Sequence, residues 1–255
     1  MEKQYFREHS PTLGREMEWK LYGHGGRPVL FIPCQDGRFF DFEDFGMSSV
    51  WSPWINSGQV MVFAIDTLDK ETWSNKGGDP YWRIRRHEQW VDYITGEMVP
   101  LIQETARRRG SWKEESGILT FGCSLGATHA ANLYLRRPDL FNGCLALSGI
   151  YTADYGFGGY MDEVVYQNSP VHYMANLPQD HPYIGIFNRQ RAAICVGLGP
   201  WELPDSTRRL ADIFYHKGIH TWVDFWGYDC AHDWPWWYKQ TVYFFPWLLG
   251  GEPGQ

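Results

Sequence analysis

Phe121-Gly122-Cys123-Ser124-Leu125-Gly126-Ala127 is a G-x-S-x-G motif set between an apolar run and a segment with helical spacing. In that setting a serine sits on a sharp strand-to-helix turn, its hydroxyl raised above a sheet where a histidine can reach it. Gly122 and Gly126 suit the turn because it packs so tightly that side chains at those positions would collide. Before the serine, Gly117-Ile118-Leu119-Thr120-Phe121 is short, apolar and rich in β-formers, as expected of a buried parallel strand. After it, residues 127–137 supply helix formers, with Ala130, Leu133 and Tyr134 spaced for one buried face, and Pro138 ends the pattern. The competing reading is a glycine-rich turn with an incidental serine, and the flanking strand and helix weigh against it.

Working outward, the alternation over residues 16–22 predicts a half-exposed strand at the edge of a sheet. Residues 28–32 and 60–65 are continuous apolar runs suited to central parallel strands. A long helical region spans 81–109, and further strands are expected at 143–147, 192–196 and 221–225. Residues 205–217 predict a helix, and 234–249 a closing helix interrupted at Pro246. Strands alternating with helices predict an α/β fold, a mostly parallel central sheet with helices on both faces, in one domain over residues 1–255. Residues 151–190 break this rhythm: rich in Gly, Tyr, Asn and Pro, they are too long for an ordinary connection. They predict a small cap-like insertion beside the site, whose tyrosines, Tyr151 first, face substrate.

A serine hydroxyl is a poor nucleophile until a base takes its proton, so Ser124 calls for a histidine and an orienting acid. On a strand-turn-helix of this kind the chain order is serine, acid, histidine. Of nine histidines, His232 follows the strand at 221–225 and directly precedes a helix, at a strand's carboxyl end where the base belongs. His216 and His220 flank the approach to that strand from its other end, and His129 reads as a packing or solvated residue of the helix after Ser124. The acid should follow the strand at 192–196, where Glu202 is nearer the strand end and Asp205, the runner-up, looks like a helix N-cap. An oxyanion hole would combine the amide of Leu125 with one from the loop Pro33-Cys34-Gln35-Asp36-Gly37-Arg38. Gln35 is the preferred donor there, with Cys34 and Asp36 as alternatives. Cys123 is set aside as nucleophile because Ser124 holds the middle of the motif.

Composition narrows the function further. A formal net charge of −7 disfavours nucleic acid, and the tight basic run Arg107-Arg108-Arg109 suits a solvated helix end. Five cysteines, Cys34, Cys123, Cys144, Cys195 and Cys230, lack C-x-x-C spacing, which disfavours a disulfide framework and a structural zinc site. Asp229, His232 and Asp233 are close in sequence without a familiar ligand pattern, so no metal is expected. The first residues lack the apolar core of a signal peptide and no apolar run is long enough for a bilayer, so a cytoplasmic protein with no membrane partner is expected. Aromatic residues reach 17%, with 14 tryptophans; Trp201 abuts Glu202, while Trp234, Trp236 and Trp237 follow His232. Such rings can stack on sugars or aromatic acyl groups, and core packing is the alternative for each of them. Trp201 and Trp234 join Tyr151 as the expected substrate-binding residues.

With these residues placed, the chain resembles the putative-esterase family of α/β-hydrolases, which includes feruloyl and acetylxylan esterases, esterase D and the antigen 85 mycolyltransferases. The resemblance rests on Gly122-Cys123-Ser124-Leu125-Gly126, on Gln35-Asp36-Gly37, and on Ala231-His232-Asp233-Trp234-Pro235-Trp236-Trp237, similar to the family's G-H-D-W-x-x-W segment. Ala231 stands where the family has glycine, and the acid loop is not a clean match. The resemblance implies an α/β-hydrolase fold and cofactor-free hydrolysis of a small ester (short acyl, aryl or acylated sugar). It also leaves open acyl transfer to an alcohol, and a non-catalytic carbohydrate- or partner-binding homologue stands as the reading from another class. Oligomeric state is open, a homo-oligomer included.

Overall fold

The computed structural model describes residues 1–113 and 117–254. Its eight strands are β1 (Lys3–Ser10), β2 (Arg15–Tyr22), β3 (Arg27–Ile32), β4 (Val60–Ile65), β5 (Ile118–Cys123), β6 (Phe141–Leu147), β7 (Arg191–Val196) and β8 (Trp222–Phe225). They form one sheet in the order β1-β2-β4-β3-β5-β6-β7-β8. β3 runs parallel to β4, and β7 parallel to both β6 and β8, while β1 and β2 are antiparallel additions at one end. The fold is thus α/β with a mostly parallel sheet, and the continuous apolar runs of β4 and β5 are buried at every position, as strands covered on both faces must be. By compactness the chain divides into two units, Met1–Leu119 and Thr120 onward.

The first unit corrects the sequence reading at the sheet's edge. β2 is not the edge strand, because β1 pairs outside it from Lys3↔Tyr22 to Ser10↔Arg15. β1 escapes a periodicity search because nearly all of it is exposed; it is held by the ladder, by Phe6 stacked on Trp19 at 4.0 Å, and by Tyr5 Oη donating to Glu18 at 2.5 Å. Its charged side chains discourage further strand pairing. The expected helix at 81–109 is an α-helix (Pro80–Tyr93), a π-helical turn (Ile94–Met98) and a second α-helix (Val99–Arg108) that packs on β3. Pro100 lacks an N–H and would crowd the carbonyl of Gly96 in a regular helix, and the wider π turn before it accommodates the ring. Arg107 and Arg108 end that helix as expected.

In the second unit the helix Leu125–Arg136 packs on β6, and every residue from Leu125 to Leu135 is buried, so the single apolar face expected at Ala130, Leu133 and Tyr134 is in fact a helix buried all round. Residues 151–190, between β6 and β7, form four short helices, Asp154–Phe157, Glu163–Gln167, Pro170–Tyr173 and Pro182–Phe187. Asn132 ties this segment to the helix after Ser124, donating to Asn168 at 2.9 Å and accepting from Tyr173 Oη at 3.0 Å. The helix Asp205–Lys217 packs on β7, and the helix Trp234–Leu248 packs on β6 and β7. Pro246 does not interrupt the latter: it lies in the last turn, and Leu249 N–H still reaches Phe245 O at 3.1 Å. Among the described residues no helix is long and apolar enough to cross a membrane.

Candidate active site

The site begins where β5 meets the helix Leu125–Arg136. A Cβ on Gly122 would overlap the backbone carbonyl of Gly126, so the strand can pass this close to the helix only without a side chain. Gly122→Ala should lower stability by about 1–3 kcal/mol or more through overpacking. A denaturant midpoint unchanged from the parent protein would contradict this account of the turn. Ser124 has φ 56° and ψ −129°, a left-handed conformation that L-residues rarely adopt, and its N–H bonds Leu147 O at 2.9 Å. This geometry projects the hydroxyl away from the strand and leaves Leu125 as the first helical residue, whose N–H has no acceptor within the helix.

Two loops bring an imidazole and a carboxylate into line with that hydroxyl. The loop after β7 and the loop after β8 are joined by Gly199 N–H to Cys230 O and by His232 N–H to Pro200 O, both 3.0 Å. Gly197 faces Cys230 so closely that a Cβ would overlap its carbonyl oxygen. His232 Nε2 lies 2.9 Å from Ser124 Oγ, and Nδ1 lies 3.2 Å from Glu202 Oε2. The Glu202 side chain is only 1% exposed. A carboxylate can only accept, so Nδ1 carries the proton and Nε2 offers its lone pair to Ser124.

Asp205 is elsewhere. It is the first residue of its helix rather than the N-cap, which is Pro204; its side chain is 94% exposed and pairs with Arg208 at 3.0 Å. There it complements the helix dipole. His129 is buried within its helix, His216 contacts Asp212 O in the last turn of Asp205–Lys217, and His220 N–H bonds Asn188. Cys123 is buried at the end of β5. Asp233 caps the last helix by accepting from Trp234 N–H at 2.7 Å. Among the described residues no group of three or more His, Cys, Asp or Glu side chains is placed to hold a metal ion.

The expected substrate-binding residues divide. Trp201 is 87% exposed beside Glu202, on a backbone with φ 67°. Trp234 is half-exposed and lies edge-on to Trp237, ring centroids 5.1 Å apart. Tyr151 corrects the sequence reading: it is 0% exposed, its N–H bonds Ser206 Oγ at 3.0 Å, and burial pushes its phenol well above the ordinary tyrosine range. A ring sunk this far offers substrate no stacking face. Gln35 is exposed on the loop after β3, in the first unit, next to Asp36 with φ 60°.

Sequence reasoning missed Ser148 and left Trp237 open between ring stacking and core packing. Ser148 follows β6 with φ 59°; its Oγ donates to Glu202 Oε1 at 2.6 Å and accepts from Trp237 Nε1 at 2.9 Å. Trp237 is buried, with its ring at 83° to that of His232 and centroids 5.1 Å apart. The available signal was a small polar residue at the end of the apolar run 143–147.

A family model described as putative esterase matches residues 10–243. A search of curated proteins finds no match. Among solved structures, a ferulic acid esterase superposes with TM-score 0.72 at 17% identity, covering 97% of this chain and 98% of that one. An S-formylglutathione hydrolase from Agrobacterium tumefaciens gives 0.69 at 16% identity, covering 97% and 94%. A fluorophosphonate-binding serine hydrolase of Staphylococcus aureus, solved with substrate bound, gives 0.68 at 13% identity and covers 98% of each chain.

Proposed function

The chain belongs to the putative-esterase family and is a carboxylic ester hydrolase; from that premise we propose that Ser124, His232 and Glu202 are its nucleophile, base and orienting acid. Ser124 Oγ attacks the ester carbonyl while His232 Nε2 takes the hydroxyl proton, and Glu202 stabilises the imidazolium so formed. Negative charge develops on the carbonyl oxygen, which the Leu125 amide meets; such a donor lowers the barrier by roughly 3 kcal/mol. As the tetrahedral intermediate collapses, Nε2 returns its proton to the departing alcohol and leaves an acyl-Ser124. Water, deprotonated by the same nitrogen, then releases the acid.

The observation that carries this reading is the continuous hydrogen-bonded line from Glu202 Oε2 through His232 to Ser124 Oγ, with steps of 3.2 and 2.9 Å. Strain supports it, since three of the four non-glycine residues with positive φ among the described residues, Ser124, Ser148 and Trp201, border this line. The exposed indole of Trp201 and the half-exposed one of Trp234 favour esters with a flat partner, an aromatic acyl group or a sugar ring.

A fluorophosphonate probe should label one site per chain, on the peptide carrying Ser124, and block turnover of p-nitrophenyl acetate. Feruloyl and acetyl-sugar esters in the same assay would rank the substrate classes, and added alcohols would show whether the acyl group passes to them instead of water. No labelling together with no turnover across the panel would sink the reading.

A further inference from the structure

Glu202 can orient His232 only if its own carboxylate is held, and two bonds from separate loops of the second unit hold it. Oε1 accepts from Ser148 Oγ at 2.6 Å and from Gly197 N–H at 3.2 Å, which leaves Oε2 for His232. Ser148 in turn accepts from Trp237 Nε1 at 2.9 Å. An indole N–H can only donate and a serine hydroxyl has one proton, so the direction of every bond in this line follows. Trp237 N–H occupies a lone pair of Ser148, and the single Ser148 proton must point at Oε1. The hydroxyl, ordinarily a free rotor, has one orientation here.

We propose that Ser148 and Trp237 are positioning residues for the esterase reaction, a brace that pins Oε1 of Glu202 so that Oε2 faces His232 Nδ1; this rests on the assignment of Glu202 as the triad acid. Trp237 acts twice, because its ring also stands edge-to-face with the His232 imidazole at 5.1 Å and so bounds the rotation of both members of the pair. The placement of Ser148 comes at the expense of stability. It is 2% exposed and holds a left-handed backbone, φ 59°, with its N–H bonded to Cys195 O at 2.7 Å. A non-glycine residue in that conformation is strained, and glycine would take it without strain. The side chain that this strain delivers is the hydroxyl on Glu202.

Steady-state kinetics with p-nitrophenyl acetate test the brace. Ser148→Ala should lower kcat about 10-fold with KM unchanged, because the bond lost is one to a charged group and the substrate is untouched. Ser148→Gly relieves the backbone yet also lacks the hydroxyl, so it should lose kcat by a similar factor. Trp237→Phe keeps a ring beside His232 and drops the N–H; it should lower kcat less than Ser148→Ala and cost nothing further when combined with it. In a Glu202→Ala background, already slow, Ser148→Ala should change kcat by less than about 2-fold, since the group it acts through is gone.

Full kcat in Ser148→Gly would overturn the proposal and assign any loss in Ser148→Ala to backbone strain. So would a loss of equal factor in the native and Glu202→Ala backgrounds, the signature of a merely structural role. If Glu202→Ala alone keeps full kcat, the triad assignment itself fails and the brace falls with it. If Glu202→Ala is slow while Ser148→Gly and Trp237→Phe are both unaffected, the triad stands and only the brace is lost.

Discussion

Ser124→Ala should lower kcat for a p-nitrophenyl ester by roughly 10⁶-fold, the scale on which removing the nucleophile of a serine triad acts. The change deletes one oxygen and little else. Alanine meets the same left-handed φ of 56° that serine already tolerates, and the residue's N–H to Leu147 O is a backbone bond that survives. Thermal stability should therefore stay close to that of the parent, which separates lost chemistry from lost fold. Residual turnover comes from whatever substrate binding supplies without a covalent intermediate. A variant with more than about one hundredth of the parent activity would remove Ser124 from the role of nucleophile.

Glu202→Gln should lower kcat by about 10⁴-fold, while Asp205→Asn stays within about 2-fold. The size of the first effect follows from the donors around Oε1. Ser148 Oγ and Gly197 N–H both donate there, so the glutamine must put its carbonyl oxygen at that position. Its NH2 is then turned toward His232 Nδ1, which can no longer donate to it. The imidazole must carry its proton on Nε2 instead, and Ser124 loses its base. Asp205, 94% exposed and paired with Arg208, has no part in that geometry. Equal losses in the two variants, or a larger one in Asp205→Asn, would reverse the assignment of the acid.

Most of the sheet and the three residues aligned by hydrogen bonds could be read from the sequence because each is announced locally. β4 and the helix Asp205–Lys217 have the limits expected of them, since an apolar run or an apolar period ends where solvent begins. Ser124 lies in its own motif, and the order of strands and loops singles out His232 and favours Glu202. What escaped is what only assembly determines. β1 is exposed along nearly all its length, and its partner is a strand that the periodicity of β1 does not announce. Ser148 and Trp237 meet through a hydrogen bond between residues 89 positions apart, and no local pattern encodes such a bond. Tyr151 was misjudged for the converse reason: a tyrosine in a polar, glycine-rich stretch looks exposed, yet tertiary packing covers it completely.

The backbone of Trp201 bears on how this protein could be made more robust. A large ring on a left-handed backbone is strained, and one that is 87% exposed gains almost no burial in return. Glycine would adopt the same φ of 67° freely and would shed the solvent-exposed indole, so the loop holds a reserve of stability that one substitution could release. A search for heat-resistant variants would be drawn to this position first. If the indole is where substrate stacks, the tolerance to heat gained there would be taken from affinity, and the protein's working temperature and its choice of ester would be set by the same residue.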